Sequence, residues 1–292
     1  MRFKILSQEN KVIIEDVKDF NLKHIFGCGQ CFRWHEEKDG SYTGVAFNKV
    51  INIKSRDNIL EINNTNVEDF KSIWYEYFDL SRDYEEIKRC VCKDDVMKKA
   101  IEFGSGIRLL NQSKKELLIS FIISANNKIS RISNSIELLS QKFGRKIFYN
   151  GKEYYTFPRL QSIACAKLED LEKIKAGFRC KYIQNSAEIE MEEMYLKTLE
   201  YKKTKDARKI LQSFPGVGPK VADCILLFSG IKRDVFPTDV WVKRVMEELY
   251  FKREATLSEI QTFASEYFGE YAGYAQQYLF YYARENGIGV AK

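Results

Sequence analysis

Long apolar runs are missing from this sequence. A membrane-spanning helix needs about 18 or more consecutive apolar residues, and no segment reaches that length. Residues 1–17 also lack an apolar run of the kind found in signal peptides. We therefore expect neither a membrane span nor export, and a protein that works inside the cell.

The seven cysteines do not form a recognisable framework. Their number is odd and their spacing irregular, which argues against a set of disulfides. Cys28-x-x-Cys31 could supply half of a zinc site, but no second pair has metal-site spacing, and Cys90 and Cys92 stand closer than in the usual C-x₂₋₄-C pattern. We therefore expect a reducing environment and no metal in catalysis.

The composition is that of a folded protein with a slight excess of positive charge. Hydrophobic residues make up 45% of the 292 residues, which is enough for one large domain or two of ordinary size. The 47 Lys and Arg residues against 41 Asp and Glu residues leave a net charge of +6. This excess permits nucleic-acid binding without requiring it, and such binding would need the basic residues to be concentrated on one face.

Hydrophobic periodicity divides the chain into two parts. Short apolar or alternating runs, separated by turn residues such as Asp39-Gly40, predict antiparallel strands in the first 63 residues. The predicted strands are 11–17, 30–36, 41–47, 50–54 and 59–63. From Asn66 onward, apolar residues recur at helical spacing. The predicted helices lie within 66–80, 83–103, 114–125, 129–143, 168–176, 206–214, 219–230, 240–251, 257–268 and 273–286. We predict an α+β N-terminal domain over 1–105 and an all-α domain over 106–292.

A glycine-rich turn joins two of these helices, forming a predicted helix-hairpin-helix at about 206–230. Proline suits the first turn of the second helix, because its missing N–H would be unpaired there. Gly216 and Gly218 allow a tight turn whose backbone N–H groups, with that of Val221, could bind a phosphate oxygen at a helix N-terminus. Such contacts position DNA without reading its sequence. The alternative is an ordinary helical corner in which the glycines serve geometry alone.

The sequence around this turn resembles a known family. F-P-G-V-G-P-K-V-A-D at 214–223, followed by F-P-T-D at 236–239, resembles the helix-hairpin-helix DNA glycosylase superfamily and specifically its 8-oxoguanine branch. The resemblance implies that Lys220 attacks C1′ of the damaged nucleotide and that Asp239 supports the reaction. Taken alone, Lys220 would be a surface lysine and Asp239 a helix cap. Together, within these two motifs, they predict a catalytic pair.

The chemistry explains why both groups are needed. Breaking an N-glycosidic bond builds positive charge on the sugar, which a nearby carboxylate stabilises. Asp239 lies at the predicted N-cap of the helix that begins at Val240, where the helix dipole favours a carboxylate. A neutral Lys220 amine can form a Schiff base with C1′, and β-elimination then cleaves the strand. We therefore expect a half-buried Lys220.

The same resemblance implies a pocket for the flipped base, whose extrusion is needed because C1′ is inaccessible in a stacked duplex. In FGCGQCFRW (26–34), the carbonyl of Gly29 would accept a hydrogen bond from N7–H of 8-oxoguanine, a hydrogen that guanine lacks. Cys224 and Phe280 would stack on opposite faces of the base, Gln276 would bind its Watson–Crick edge, and Pro237 would offer a carbonyl. The alternatives are a turn glycine for Gly29 and core packing for Phe280.

Four residues are implied to contact the space left by the flipped nucleotide and the orphaned cytosine. They are Asn126 and Arg131 in FIISANNKISRI (121–132), and the wedge residue Phe178 with Arg179 in GFRCKY (177–182). An arginine fork suits the acceptors of cytosine. For each arginine taken singly, phosphate binding or solvation is an equally good interpretation.

The chain departs from the best-known eukaryotic members at three positions. Phe178 stands where they have a tyrosine wedge, Trp241 where they have a histidine, and Ala283 where they have the aspartate that pairs with that histidine. The histidine–aspartate pair is therefore absent, and we predict a different contact with the DNA backbone near the lesion. No role is carried over to Trp241.

The resemblance implies a twisted antiparallel sheet with helices, similar to the TATA-binding protein, followed by a helical glycosylase domain. The implied function is excision of 8-oxoguanine from duplex DNA, preferably opposite cytosine, with strand scission by the same enzyme. The rivals are a related enzyme for another lesion, such as an alkylated base, against which Lys220 argues, and a non-catalytic DNA-binding module.

The resemblance also bears on cofactors, partners and location. We expect no required cofactor and no iron–sulfur cluster, since no Cys follows Cys224. A structural monovalent or calcium ion at the hairpin carbonyls is compatible with the sequence. The expected partner is double-stranded DNA containing 8-oxoguanine, bound by a monomer in the cytoplasm, at the nucleoid if the source is a bacterium.

Overall fold

The computed structural model describes residues 3–290. The strands are β1 (Lys4–Gln8), β2 (Lys11–Glu15), β3 (Trp34–Glu36), β4 (Tyr42–Ala46), β5 (Lys49–Arg56), β6 (Ile59–Asn63), β7 (Lys146–Tyr149) and β8 (Lys152–Tyr155). The helices up to the hairpin are α1 (Leu22–Gly27), α2 (Val67–Asp69), α3 (Tyr75–Tyr77), α4 (Tyr84–Val91), α5 (Asp95–Phe103), α6 (Lys114–Ser124), α7 (Ile129–Phe143), α8 (Leu160–Ala164), α9 (Leu168–Glu172), α10 (Arg179–Glu193), α11 (Tyr195–Thr198) and α12 (Thr204–Gln212). Those after it are α13 (Pro219–Phe228), α14 (Val240–Met246), α15 (Leu257–Phe268) and α16 (Ala272–Glu285). Phe70–Trp74 and Glu247–Phe251 are π-helical, and Leu199–Tyr201 and Gly269–Tyr271 are 3₁₀ turns.

The N-terminal part is built on a six-stranded antiparallel sheet in the order β1-β2-β6-β5-β4-β3. The alternation of apolar residues predicts one buried face, and β2 and β6 show it: Val12 pairs with Ile62 and Ile14 with Leu60, all four fully buried. A sheet followed by a helical domain is the fold class expected from the sequence, and the antiparallel pairing is confirmed.

The segment 30–36 was predicted as a strand, and this prediction is wrong except for β3. Residues before Trp34 form a loop, because Gln30 is fully buried and its side chain is bonded to backbone groups instead of facing a neighbouring strand. Its Nε2 donates to the carbonyls of Ile25 and Arg108, and its Oε1 accepts from the amide of Leu110. A polar side chain satisfied by the main chain therefore shapes the loop that precedes β3.

The sequence does not predict helix α10 (Arg179–Glu193). Its buried face includes Cys180, Ser186, Ala187 and Glu190, which are small or polar, so hydrophobic periodicity is weak along RCKYIQNSAEIEMEE. Glu190 is satisfied by accepting from the amide of Leu196 at 3.0 Å. Strand β1, helix α1 and the β7–β8 hairpin were also absent from the prediction.

Three hydrophobic cores hold the described residues together. One lies under the sheet, a second fills the helices around α6 and α13, and a third joins α4 and α5 to the C-terminal helices. In the third, Met97 and Ala100 share a core with Phe236 and Tyr278. The N-terminal segment therefore packs directly on α16, and the loop around Cys28 reaches the same core.

Among residues 3–290, no helix combines the length and the apolar character that a membrane crossing requires.

Candidate active site

The helix-hairpin-helix consists of α12, the turn at 213–218 and α13. Gly216 has φ +81°, and a Cβ there would lie 2.8 Å from the Tyr182 ring, so glycine is required by both backbone and space. Arg208 of α12 pairs with the buried carboxylate of Asp223 on α13 at 2.6 Å. Burial raises the pKa of Asp223, and the hydrogen bond from Arg208 opposes that rise. This ion pair joins the two helices of the hairpin.

The turn presents unpaired backbone amides. Over the described part of the chain, no hydrogen-bond acceptor is found for the N–H groups of Gly216, Gly218 or Val221, and both glycines are exposed. Proline occupies the first turn of α13, as its fixed φ allows. Val221 buries its side chain, so only its amide can serve a ligand. The arrangement can bind an anion with main-chain donors.

Lys220 and Asp239 line one pocket. Lys220 is half-buried on the first turn of α13, with Nζ 5.5 Å from the centre of the Phe121 ring. Asp239 caps α14, and its Oδ1 accepts from the amide of Val242 at 2.8 Å. The predicted cap and the half-buried lysine are confirmed. One turn beyond Lys220, Cys224 is buried, which raises the pKa of its thiol to about 11 and keeps it protonated near neutral pH.

The pocket also contains every residue expected to contact the flipped base. Its lining includes Gly29, Cys224, Pro237, Gln276 and Phe280. Gly29 has φ +84°, and a Cβ there would lie 3.3 Å from Phe280 Cε1. The Gln276 side chain is almost fully buried, and its Oε1 has no hydrogen-bond partner in the described structure. Such a group is costly to bury without a partner, and its oxygen is free to accept a hydrogen bond from a ligand.

A wider groove continues from this pocket along the surface. It shares Lys220, Asp239 and Phe280 with the pocket and extends past Gly216 and Gly218 to Asn126. The hairpin turn, Lys220 with Asp239, and the 125–127 loop therefore lie along one continuous depression. A strand of nucleic acid lying there can place a phosphate on the turn while a base enters the pocket.

Of the residues expected near the orphaned base, Asn126 lines the groove, and Arg179, which contacts Asn126, lies beside Phe178. Phe178 is 65% exposed, which is unusual for a phenylalanine and suits a wedge. Arg179 stacks on Phe178 and donates from Nε to the carbonyl of Ala125 and from Nη2 to that of Asn126, whose φ is +49°. Arg131 is exposed, and its side chain makes no hydrogen bond or ion pair within residues 3–290. Arg179 therefore supports the loop in this structure, and Arg131 is available to a ligand.

Sequence reasoning missed several pocket residues. Phe121 and Phe228 form one wall, but each lies in a uniformly apolar helix where no pattern separates a pocket residue from a core residue. Cys28 and Gln277 also line the pocket. Trp241, to which no role was assigned, packs edge-on against Phe280 with ring centres 5.2 Å apart.

Two family models match adjoining parts of the chain. The model of the 8-oxoguanine DNA glycosylase N-terminal domain matches residues 12–118, and that of the HhH-GPD superfamily of base excision DNA repair proteins matches residues 119–270. The second match alone spans more than half of the chain. The chain belongs to the 8-oxoguanine branch of the helix-hairpin-helix DNA glycosylases.

Relatives and solved structures agree with this family. The probable N-glycosylase/DNA lyase of Methanothermobacter thermautotrophicus is 34% identical over 231 residues, which cover 72% of this chain and 74% of that protein. The structure of MBOgg1 with a low-affinity DNA ligand is 51% identical, with a TM-score of 0.96, covering 98% of this chain and all of that one. The Clostridium acetobutylicum 8-oxoguanine glycosylase/lyase, bound to duplex DNA with cytosine opposite 8-oxoguanine, is 46% identical, with a TM-score of 0.95. The match covers 99% of this chain and 100% of that one. As a member of this family, the chain is a DNA N-glycosylase with lyase activity.

Metal ligands do not cluster in this glycosylase. Across residues 3–290, no group of three or more His, Cys, Asp and Glu side chains is placed to hold a metal ion. The expectation of a reaction without a cofactor and that of an ion at the hairpin carbonyls both stay predictions.

Proposed function

We propose that this glycosylase excises 8-oxoguanine from duplex DNA, with a preference for cytosine opposite the lesion, and then cleaves the strand at the abasic site. The observation that carries the proposal is the pocket in which Lys220, Asp239 and the unpartnered Gln276 Oε1 meet. A purely DNA-binding hairpin needs none of these three. Because the substrate is cellular DNA, we expect the protein to act inside the cell.

The reaction follows from the positions of the two reactive side chains. As the N-glycosidic bond breaks, its electron pair leaves with the base, and Asp239 stabilises the positive charge that develops on the sugar. Lys220 attacks as an unprotonated amine and forms a bond to C1′; its nitrogen then passes a proton to O4′ as the C1′–O4′ bond breaks, which opens the sugar ring and gives a protonated Schiff base. Loss of a proton from C2′ then expels the 3′ phosphate and cleaves the strand. The Lys220 amine lies over the Phe121 ring, 5.5 Å from its centre.

Recognition of the lesion is assigned to two contacts on different edges of the base. The Gly29 carbonyl accepts from N7–H, which is present in 8-oxoguanine and absent in guanine. The Gln276 amide can donate and accept at once, which matches the Watson–Crick edge of a guanine. Phe280 and Cys224 provide the two faces between which the base stacks. The pairing of a carbonyl with an N7–H supplies the discrimination, because guanine would leave the buried carbonyl without a donor.

Substitutions at Gly29 and Gln276 test this pocket. Gln276→Ala is expected to slow 8-oxoguanine excision about tenfold or more, because the bound base edge would lose its partner. Gly29→Ala is expected to slow it as well, because φ is +84° and the new Cβ would press on Phe280. Single-turnover excision measures both. Cleavage of a preformed abasic site by Gln276→Ala serves as the control, since that substrate has no base to bind. Wild-type excision by both variants would mean that the base binds elsewhere.

The partner base is expected to be distinguished through Arg131. An exposed guanidinium without a protein partner can donate to N3 and O2 of an orphaned cytosine, whereas adenine presents a single acceptor beside a donor amine. Excision opposite cytosine is therefore expected to exceed that opposite adenine by about tenfold. The Phe178 wedge lacks the hydroxyl of the tyrosine in the best-known members, which is expected to relax the preference somewhat.

The measurement is single-turnover excision opposite each of the four bases, with Arg131→Ala beside the wild type. The variant is expected to flatten the preference more than it slows excision opposite cytosine. Arg89→Ala, at an exposed arginine on α4, provides a matched control that should leave the preference intact. Equal wild-type rates opposite cytosine and adenine would mean that Arg131 contacts phosphate or solvent and not the opposite base.

A further inference from the structure

The loop that carries Gly29 is fastened to helix α16 by two side chains. Gln277 Nε2 donates to the carbonyl of Cys28 at 2.6 Å, and Arg284 Nη2 donates to the carbonyl of Gly27 at 2.6 Å. Helix α16 also carries Gln276 and Phe280, which line the pocket. One rigid helix therefore holds both the groups that face the base and the loop on the other side of that base.

Gly29 lies between two anchored residues. On one side the Cys28 carbonyl, in the same peptide group as the Gly29 amide, is held by Gln277. On the other, the Gln30 carbonyl accepts from Gln112 and the Gln30 side chain is held by Ile25, Arg108 and Leu110. The Gly29 carbonyl itself receives no hydrogen bond from any described residue. An unpaired carbonyl between two fixed peptide groups has its position set by those neighbours.

The Gln277 contact is buried and specific. Its side chain is 2% exposed, so water does not replace the hydrogen bond, and the amide donates where an apolar side chain of the same length could not. Gln276 and Gln277 are consecutive on α16 and therefore point about 100° apart around the helix. One amide faces the base position while the next holds the loop, so a rotation or shift of α16 would move both contacts with the base together.

We propose that Gln277 is a specificity-determining positioning residue: by holding the Cys28 carbonyl, it places the unpaired Gly29 carbonyl at a fixed distance from the base-edge contact of Gln276. The inference rests on the proposed function, because it concerns the recognition of 8-oxoguanine. Gln277 touches neither of the reactive side chains through any described hydrogen bond, so its effect is on base recognition and not on the chemistry of the abasic site.

Gln277→Met tests the proposal, because methionine keeps the length of the side chain and cannot donate. Single-turnover excision of 8-oxoguanine is expected to fall about tenfold, whereas cleavage of a preformed abasic site is expected to stay within about twofold of wild type. The control is Gln184→Met. Gln184 makes the same kind of bond, from Nε2 to the carbonyl of Ala166 at 2.7 Å, outside the pocket. It is expected to leave the ratio of the two rates unchanged.

The outcomes are separable. Excision at the wild-type rate by Gln277→Met, or an equal fall in both activities, would overturn the positioning role, since a merely structural loss lowers both. If Gln277→Met does not fold, Gln277→Asn keeps a polar amide that is too short to reach Cys28. It is expected to show the same selective loss, and a wild-type ratio there would reject the proposal. A wild-type protein that cleaves abasic sites but leaves 8-oxoguanine in place would overturn the proposed function before any variant is compared.

Discussion

Lys220→Gln is expected to abolish borohydride trapping on DNA containing 8-oxoguanine while leaving DNA binding intact. Glutamine approximates the size of the half-buried lysine but cannot form an imine with C1′. The unpaired amides of the turn are main-chain groups and are unaffected by the change. The measurement is the yield of covalent adduct on a denaturing gel, with a filter-binding or anisotropy assay on the same DNA.

Lys209→Gln is the matched control for this prediction. Lys209 is an exposed lysine on α12, in the first helix of the same hairpin, and lies outside the pocket. Its loss removes the same charge from the same motif, so trapping is expected to persist. A normal adduct yield from Lys220→Gln would mean that another amine is the nucleophile, and loss of trapping in both variants would assign the effect to DNA binding.

Asp239→Asn is expected to slow base excision by about 10²–10³, because the carboxylate that stabilises the developing positive charge becomes a neutral amide. Asparagine is as good an N-cap as aspartate, so the bond to the amide of Val242 and the start of α14 should survive. The expected result is therefore a protein with an almost unchanged melting temperature and unchanged DNA affinity. Single-turnover excision and a thermal melt measure the two separately.

Asp234→Asn gives the corresponding control. Asp234 is an exposed carboxylate on the segment that leads to Asp239, and it accepts from the Thr204 hydroxyl away from the pocket. Excision by this variant is expected to match the wild type. A rate near wild type for Asp239→Asn would remove its carboxylate from the mechanism and leave it the role of a helix cap.

Where local signals are strong, the sequence predicts the fold to the residue. Strand β6 and helices α7 and α15 have the predicted bounds, because alternation or helical periodicity is uninterrupted in each and turn residues or a capping box mark their ends. Helix α10 and the loop before β3 were missed for one reason. In both, buried polar groups such as Glu190 and Gln30 are satisfied by backbone atoms outside their own helix or loop, and the hydrophobic pattern does not reveal such partners.

The candidate site likewise has features that the sequence predicts and features that only the structure shows. The sequence by itself determined the hairpin, the place of Lys220 at the start of α13 and the Asp239 cap of α14, because a tight turn, a proline at a helix start and an N-cap are each encoded within a few neighbouring residues. Only the tertiary structure decided that Phe121 forms a wall of the pocket, that Trp241 packs on Phe280, and that Gln277 holds the loop of Gly29. These contacts join segments that are far apart in the chain. They arise from how whole helices pack, which depends on shape and burial over the entire molecule. No local sequence pattern therefore predicts these contacts.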